Sequence, residues 1–195
     1  MEMRATPRVG CVVMAAGSAV RFGANKLTAE VGGVPMIRRA LQAVPADRLC
    51  CIAVVTQYDE VAAEAARFGF DCVVNDRPDE GVSRTIRLGV EALETRCDGI
   101  LFLVADQPLL RQETVAGLVD TWRSHPHCIA AASHGGVRGN PCLFPARFFG
   151  ELKGLSGDTG GSAVIRRHGD ALWLYEVPKQ ELQDVDTPQA LAGLE

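Results

Sequence analysis

No apolar run in the 195-residue sequence approaches the roughly 18 residues that a membrane-spanning helix needs, which excludes an integral helical membrane protein. The opening residues lead directly into a strand-like segment, with no apolar signal region ahead of a cleavage site, so the expected compartment is the cytoplasm. No C-x-x-C pair occurs among the seven cysteines (11, 50, 51, 72, 97, 128 and 142). Their odd number and irregular spacing exclude a disulfide or zinc framework and leave them as reduced core or near-core residues. Histidine is scarce, at four residues without metal-ligand spacing, and His125-Pro126-His127 reads as a surface turn. Positive charge is not in excess: the net charge of -4 argues against a dedicated nucleic-acid binder. An anionic small molecule remains compatible, because a few cations in one cleft outweigh a mildly negative surface. Repeats and low-complexity linkers are also missing, and a chain of this length can bury a sizeable core as one domain, taken as residues 1–195.

What is present is an alternation. Val9–Met14, Cys51–Thr56, Cys72–Val74 and Gly99–Val104 are apolar and rich in β-branched residues, as strands buried on both faces are. Amphipathic helical patterns lie between them. One starts at Pro35 as the first helical position, the others cover about residues 59–68, 82–93 and 112–123. This order predicts an α/β fold: a doubly wound, mostly parallel, Rossmann-like sheet with right-handed crossovers. Beyond Ala132 the segments Gly135-Gly136, Gly139–Pro141 and Gly154–Gly161 are turn-rich and read as short strands and loops that close over the site. Leu172–Val177 reads as a late strand, and Thr187-Pro188 as the cap and first residue of a last helix.

Ligands of such sheets bind beyond the carboxyl ends of the strands. After the first strand comes Ala15-Ala-Gly-Ser-Ala-Val-Arg-Phe-Gly-Ala-Asn-Lys26. Small residues let a ligand approach the backbone, Gly17 and Gly23 are free to take positive φ, and backbone N–H groups in such a loop suit phosphate oxygens. Arg21 and Lys26 add two cations. The loop is not a Walker A, because Ala24 and Asn25 separate Gly23 from Lys26, and Ala19 and Phe22 break a G-x-G-x-x-G fingerprint. After the fourth strand comes Asp106-Gln107-Pro108, where Asp106 is either a hard-oxygen ligand for Mg²⁺ beside phosphates or the start of a turn. Near the end, Asp184-Val-Asp-Thr-Pro188 offers Asp186 as a second metal ligand or a helix-flanking acid, with Asp184 expected on the opposite face.

Together these segments resemble the MobA-like nucleotidyltransferases, and the resemblance runs along nearly the whole chain. The first loop is similar to that family's Ala-Ala-Gly…Arg…Gly…Lys signature, with Met14 and Ala19 as departures. Asp-Gln-Pro and Asp-Val-Asp-Thr-Pro are similar to its metal motifs. Asn75 to Gly89 is similar to its segment around base and ribose, matching at Asn75, Gly81, Thr85, Ile86 and Gly89. Arg138-Gly-Asn-Pro and Leu155-Ser-Gly-Asp-Thr-Gly resemble the cytidylyl, MocA-like branch, in which these loops face a pterin. Ser162 stands where that branch carries arginine.

The resemblance implies a nucleotide-diphospho-sugar transferase type of sheet and transfer of CMP from CTP to molybdopterin in its Mo-bearing form, with pyrophosphate released. It implies Arg21, Lys26 and Asp106 as catalytic residues. Ala15, Ala16, Gly17, Arg21, Lys26, Asn75 and Ser83 would bind nucleotide, with Ser83 or Thr85 equally able to cap a helix. Asn140, Pro141, Gly157 and Asp158 would bind the acceptor, and Asp106 and Asp186 would bind Mg²⁺, with Mn²⁺ as the alternative. The partners would be CTP, molybdopterin and a molybdoenzyme that takes up the product, with no nucleic acid and no membrane. Four alternatives stay open: GTP as donor, a sugar or alcohol phosphate as acceptor, a non-catalytic carrier of the molybdenum cofactor, and a regulatory nucleotide-binding domain, which the paired aspartates disfavour.

Overall fold

The unbroken apolar strands are explained by a sheet covered on both sides. In the computed structural model, which describes residues 6–17 and 25–194, Val9–Ala15 (β1) is buried throughout except at Met14, which is partly exposed. Its odd residues, Val9, Cys11 and Val13, face one core layer, and Val12 faces the other. The chain continues through the short hairpin Glu30–Val31 (β2) and Val34–Pro35 (β3), helix Met36–Gln42 (α1), Cys51–Thr56 (β4), helix Asp59–Arg67 (α2) and Asp71–Val74 (β5). It follows with helix Val82–Leu93 (α3), Gly99–Val104 (β6), helix Gln112–Ser124 (α4), Ile129–His134 (β7) and Val137–Pro145 (β8). Helices Phe149–Lys153 (α5) and Ser162–Arg167 (α6), strand Leu172–Glu176 (β9) and helix Pro188–Ala192 (α7) complete it. No helix among the described residues is long and apolar enough to cross a membrane.

The seven-stranded sheet has the order β5-β4-β1-β6-β8-β7-β9. β5, β4, β1 and β6 run parallel, and β8 runs antiparallel to both neighbours. Residues of α1, α2 and α4 cover one face, and residues of α3, α5 and α6 cover the other. The doubly wound, mostly parallel sheet is therefore as the alternation predicts.

α3 packs so closely on β1 that a Cβ at Gly89 would stand 2.6 Å from Val12 Cγ1. Gly89→Ala is therefore expected to cost about 1–3 kcal/mol through overpacking, read as a lower urea midpoint with an unchanged slope.

Three local expectations fail. Cys72–Val74 is not buried on both faces: it belongs to an edge strand, and Val74 is 67% exposed. Gly139–Pro141, by contrast, lies in one of the expected strands, β8, where the Asn140–Pro141 bond is cis. Pro35 ends β3 and caps α1 rather than opening it. Of the cysteines, all free, Cys50 and Cys72 are exposed rather than near the core.

Candidate active site

The carboxyl ends of β1 and β6 sit side by side because Met14 pairs with Val104. Each strand therefore delivers its loop to the same place. Ala15, Ala16 and Gly17 from the first loop and Asp106 from the second line one cavity of about 360 Å³. Lys26, Pro78, Gly81, Val82, Thr85 and Asp158 complete much of its wall.

Lys26 is held by a short turn. Asn25 Oδ1 accepts from Leu27 N at 3.1 Å, and Leu27 is buried in the core. The Lys26 ammonium donates to Asp106 Oδ2 and to Asp186 Oδ1, each at 2.8 Å. Burial pulls the pKa of this ammonium down. Its hydrogen bonds to Asp106 and Asp186, and the charges of both, outweigh that and hold it above the ordinary lysine value.

Asp186 reaches this point through the residue before it. Val185 N donates to Asp106 O at 2.9 Å, and the Val185 side chain is fully buried beside Val31 and Met36. With Val185 anchored inward, the flanking aspartates are free to turn to polar partners. Thr187 then caps α7 by accepting from Ala190 N at 3.1 Å, with Pro188 in its first turn, as the motif predicts.

Asp184, expected on the opposite face, belongs to the same cluster. It accepts from Gln107 Nε2 at 2.9 Å. Desolvation, followed by the charge of Asp106, raises its pKa above the usual carboxylate range. Extended alternation fails here because the segment is irregular rather than part of a strand.

Two expected nucleotide residues lie behind the cavity wall. Asn75 is buried and used internally: its amide donates to Thr85 Oγ1 at 3.2 Å, and its carbonyl oxygen accepts from Arg84 Nε at 2.9 Å. Ser83 is fully buried in the first turn of α3, with its backbone N–H on Gly157 O at 3.1 Å. Two positions further along the helix, Thr85 reaches the cavity wall. Helical phase separates the two hydroxyl residues, and α3 covers too little sequence before Thr85 for periodicity to settle it.

Gly17 does not use a positive φ. A Cβ placed on it would enter open space, so its smallness leaves room for close approach instead. Arg21 and Gly23 lie outside the described residues.

The expected acceptor residues divide. Asp158 lines the first cavity. Asn140 lines an adjoining chamber of about 140 Å³, which shares Met14, Val82 and Val104 with the first. Pro141 and Gly157 line neither. Arg138 and Ser162 also line the chamber and are joined by a 3.0 Å hydrogen bond from the guanidinium to Ser162 Oγ. The serine that replaces the branch's arginine thus holds another arginine at the same wall.

Residues 11–172 match the family model of the MobA-like NTP transferase domain. The chain belongs to this family. The purine catabolism protein PucB of Bacillus subtilis is 29% identical over 199 residues, covering 96% of this chain and 95% of PucB. The 2-C-methyl-D-erythritol 4-phosphate cytidylyltransferase of Streptomyces coelicolor is 29% identical over 138 residues, 66% of this chain and 51% of its own. Among solved structures, Rv0371c of Mycobacterium tuberculosis superposes with a TM-score of 0.83 at 23% identity, covering 96% of this chain and 97% of that one. It has also been solved as a manganese complex. The MobA-like family is one of NTP transferases, and the glycine loop, Lys26 and Asp106 all fall inside the matched span.

Proposed function

We propose that this chain, as one domain, transfers CMP from CTP to the phosphate of Mo-bearing molybdopterin and releases pyrophosphate. The observation that carries the reading is the Lys26 ammonium held 2.8 Å from both Asp106 and Asp186, in the wall of a cavity whose other side is the Ala15–Gly17 backbone. Backbone N–H groups and a preorganised cation suit a polyphosphate. A phosphorylated acceptor brings its own nucleophile. The second pKa of a phosphate monoester lies near 6, so the group is largely dianionic in neutral solution and needs no general base. The protein's work is then positioning and charge neutralisation.

Both carboxylates converge on one cationic atom, Lys26 Nζ, so the donor set at this point suits a hard divalent ion. Mg²⁺, with Mn²⁺ as the alternative, would be held by Asp106 and Asp186 and would supply charge neutralisation across phosphate oxygens. Lys26 exchanges its carboxylate partners for phosphate oxygens, and Arg21 acts as the second cation. Asp158 closes the cavity on the acceptor's side, while Asn140 and Arg138 border the adjoining chamber that would take the acceptor's ring system. The cytidylyltransferase relative and the manganese complex of the mycobacterial neighbour support donor class and metal class respectively.

The test is pyrophosphate release with CTP, GTP, UTP and ATP, each offered with Mo-molybdopterin and with a sugar phosphate. CTP with molybdopterin is expected to be the fastest pair by at least about tenfold, or 1.4 kcal/mol. Fastest release with GTP reassigns the donor, and fastest release with the sugar phosphate reassigns the acceptor. Tight molybdopterin binding without any pyrophosphate release makes the chain a carrier.

A further inference from the structure

Beyond the ends of β1 and β4 the ladder bonds stop, and the carbonyls of the first loop need other donors. The residues that close β4 provide them in strict order. Thr56 Oγ1 donates to Ala15 O at 3.0 Å, Gln57 Nε2 to Ala16 O at 2.8 Å, and Tyr58 Oη to Gly17 O at 3.1 Å. Thr56 Oγ1 also accepts from Tyr58 N at 3.0 Å, which ties the three donors together. Thr56 is buried, and the Tyr58 ring packs against the core layer that contains Val13 and Ala15.

A carbonyl oxygen facing a phosphate is repulsive, whereas an N–H is attractive. Peptide planarity sets each N–H opposite the carbonyl of the preceding residue. Holding the Ala15 and Ala16 carbonyls against the β4 side chains therefore turns the N–H groups of Ala16 and Gly17 the other way. Those same residues line the cavity beside Lys26. We propose that Thr56, Gln57 and Tyr58 are positioning residues that fix the carbonyls of the first loop and so present its N–H groups to the polyphosphate of the nucleotide. The inference rests on the nucleotidyltransferase reading of this cavity, and it is independent of which base or acceptor is used.

The test is the double variant Gln57→Met with Tyr58→Phe, which removes two donors and keeps both shapes. KM for the magnesium–CTP complex and Kd for inorganic pyrophosphate with Mg²⁺ are both expected to rise about tenfold, the scale of two modest hydrogen bonds. KM for the acceptor and Tm stay at their original values. Amide hydrogen exchange at Ala16 and Gly17, followed by NMR with magnesium pyrophosphate bound, becomes at least about tenfold faster than in the parent, because the N–H groups are no longer held against the phosphate oxygens. Unchanged pyrophosphate affinity overturns the proposal. So does a parallel rise of both KM values with a lowered Tm, since that marks a purely structural role. If the parent chain uses GTP, the same measurements are made with GTP and carry the same expectation. If it turns over no nucleotide, the enzymatic reading fails, and pyrophosphate affinity and amide exchange still decide this one.

Discussion

Lys26→Ala is expected to slow pyrophosphate release by at least about a hundredfold, or ~2.7 kcal/mol of barrier. The Lys26 side chain is only 14% exposed, so its charge acts with little screening from water. It is also preorganised, by the Asn25 turn beneath it and by the two carboxylates that hold its ammonium. Alanine removes that cation and leaves Asp106 and Asp186 facing each other without it, with Asp184 close enough to feel both. Without divalent metal the variant should therefore melt below the parent chain. Added Mg²⁺ or Mn²⁺ should raise its Tm by more than it raises the parent's, because a ligand that binds only the folded state stabilises it, and here it replaces a lost countercharge. Asp106→Ala should lose at least about tenfold in turnover and should abolish the extra metal response of Lys26→Ala when the two are combined. Normal turnover in both single variants removes this cluster from the reaction.

The second large effect is on folding. Gly81→Ala is expected to destabilise the protein by about 3 kcal/mol or more, which corresponds to a Tm lower by roughly 6–12 °C. Gly81 has φ +84° and ψ -176°, a backbone region that side-chain-bearing residues do not tolerate. A Cβ there would also overlap the Gly157 carbonyl and stand 2.7 Å from Asp158 Oδ1. The obstruction is backbone against backbone, so no rotamer relieves it. The variant that does fold should carry the Gly157-Asp158 loop displaced from the cavity, with a raised KM for the acceptor. A Gly81→Ala protein with the parent's Tm would show that the two loops are not in contact.

Much of this molecule was legible along the chain. Val9–Ala15, Cys51–Thr56 and Gly99–Val104 announce themselves as strands because each is apolar on both faces, and Val82–Leu93 as a helix because its apolar residues recur at helical spacing. Asp106 was legible as a candidate site residue because a strand end in a doubly wound sheet is where ligands bind. Patterning says less about residues whose neighbours come from elsewhere. Cys72–Val74 has the composition of a buried strand and lies at an edge, because strand order is a property of the sheet and not of the segment. Asn75 has the chemistry of a ligand contact, yet its side chain is bonded internally to Thr85 and Arg84, and Ser83 lies buried in the first turn of α3, because the neighbours of both come from the fold and not from adjacent residues.

By itself, then, the sequence determined the fold class, the candidate phosphate loop and the candidate carboxylates, since local periodicity and motif spacing are written in consecutive residues. Only the tertiary structure decided that Lys26 would meet Asp186, 160 positions away, at the same 2.8 Å as Asp106. Buried Val185 and its backbone bond to Asp106 bring that about. A long closed loop repays its entropic cost only through contacts of this kind, formed once the whole sheet is in place.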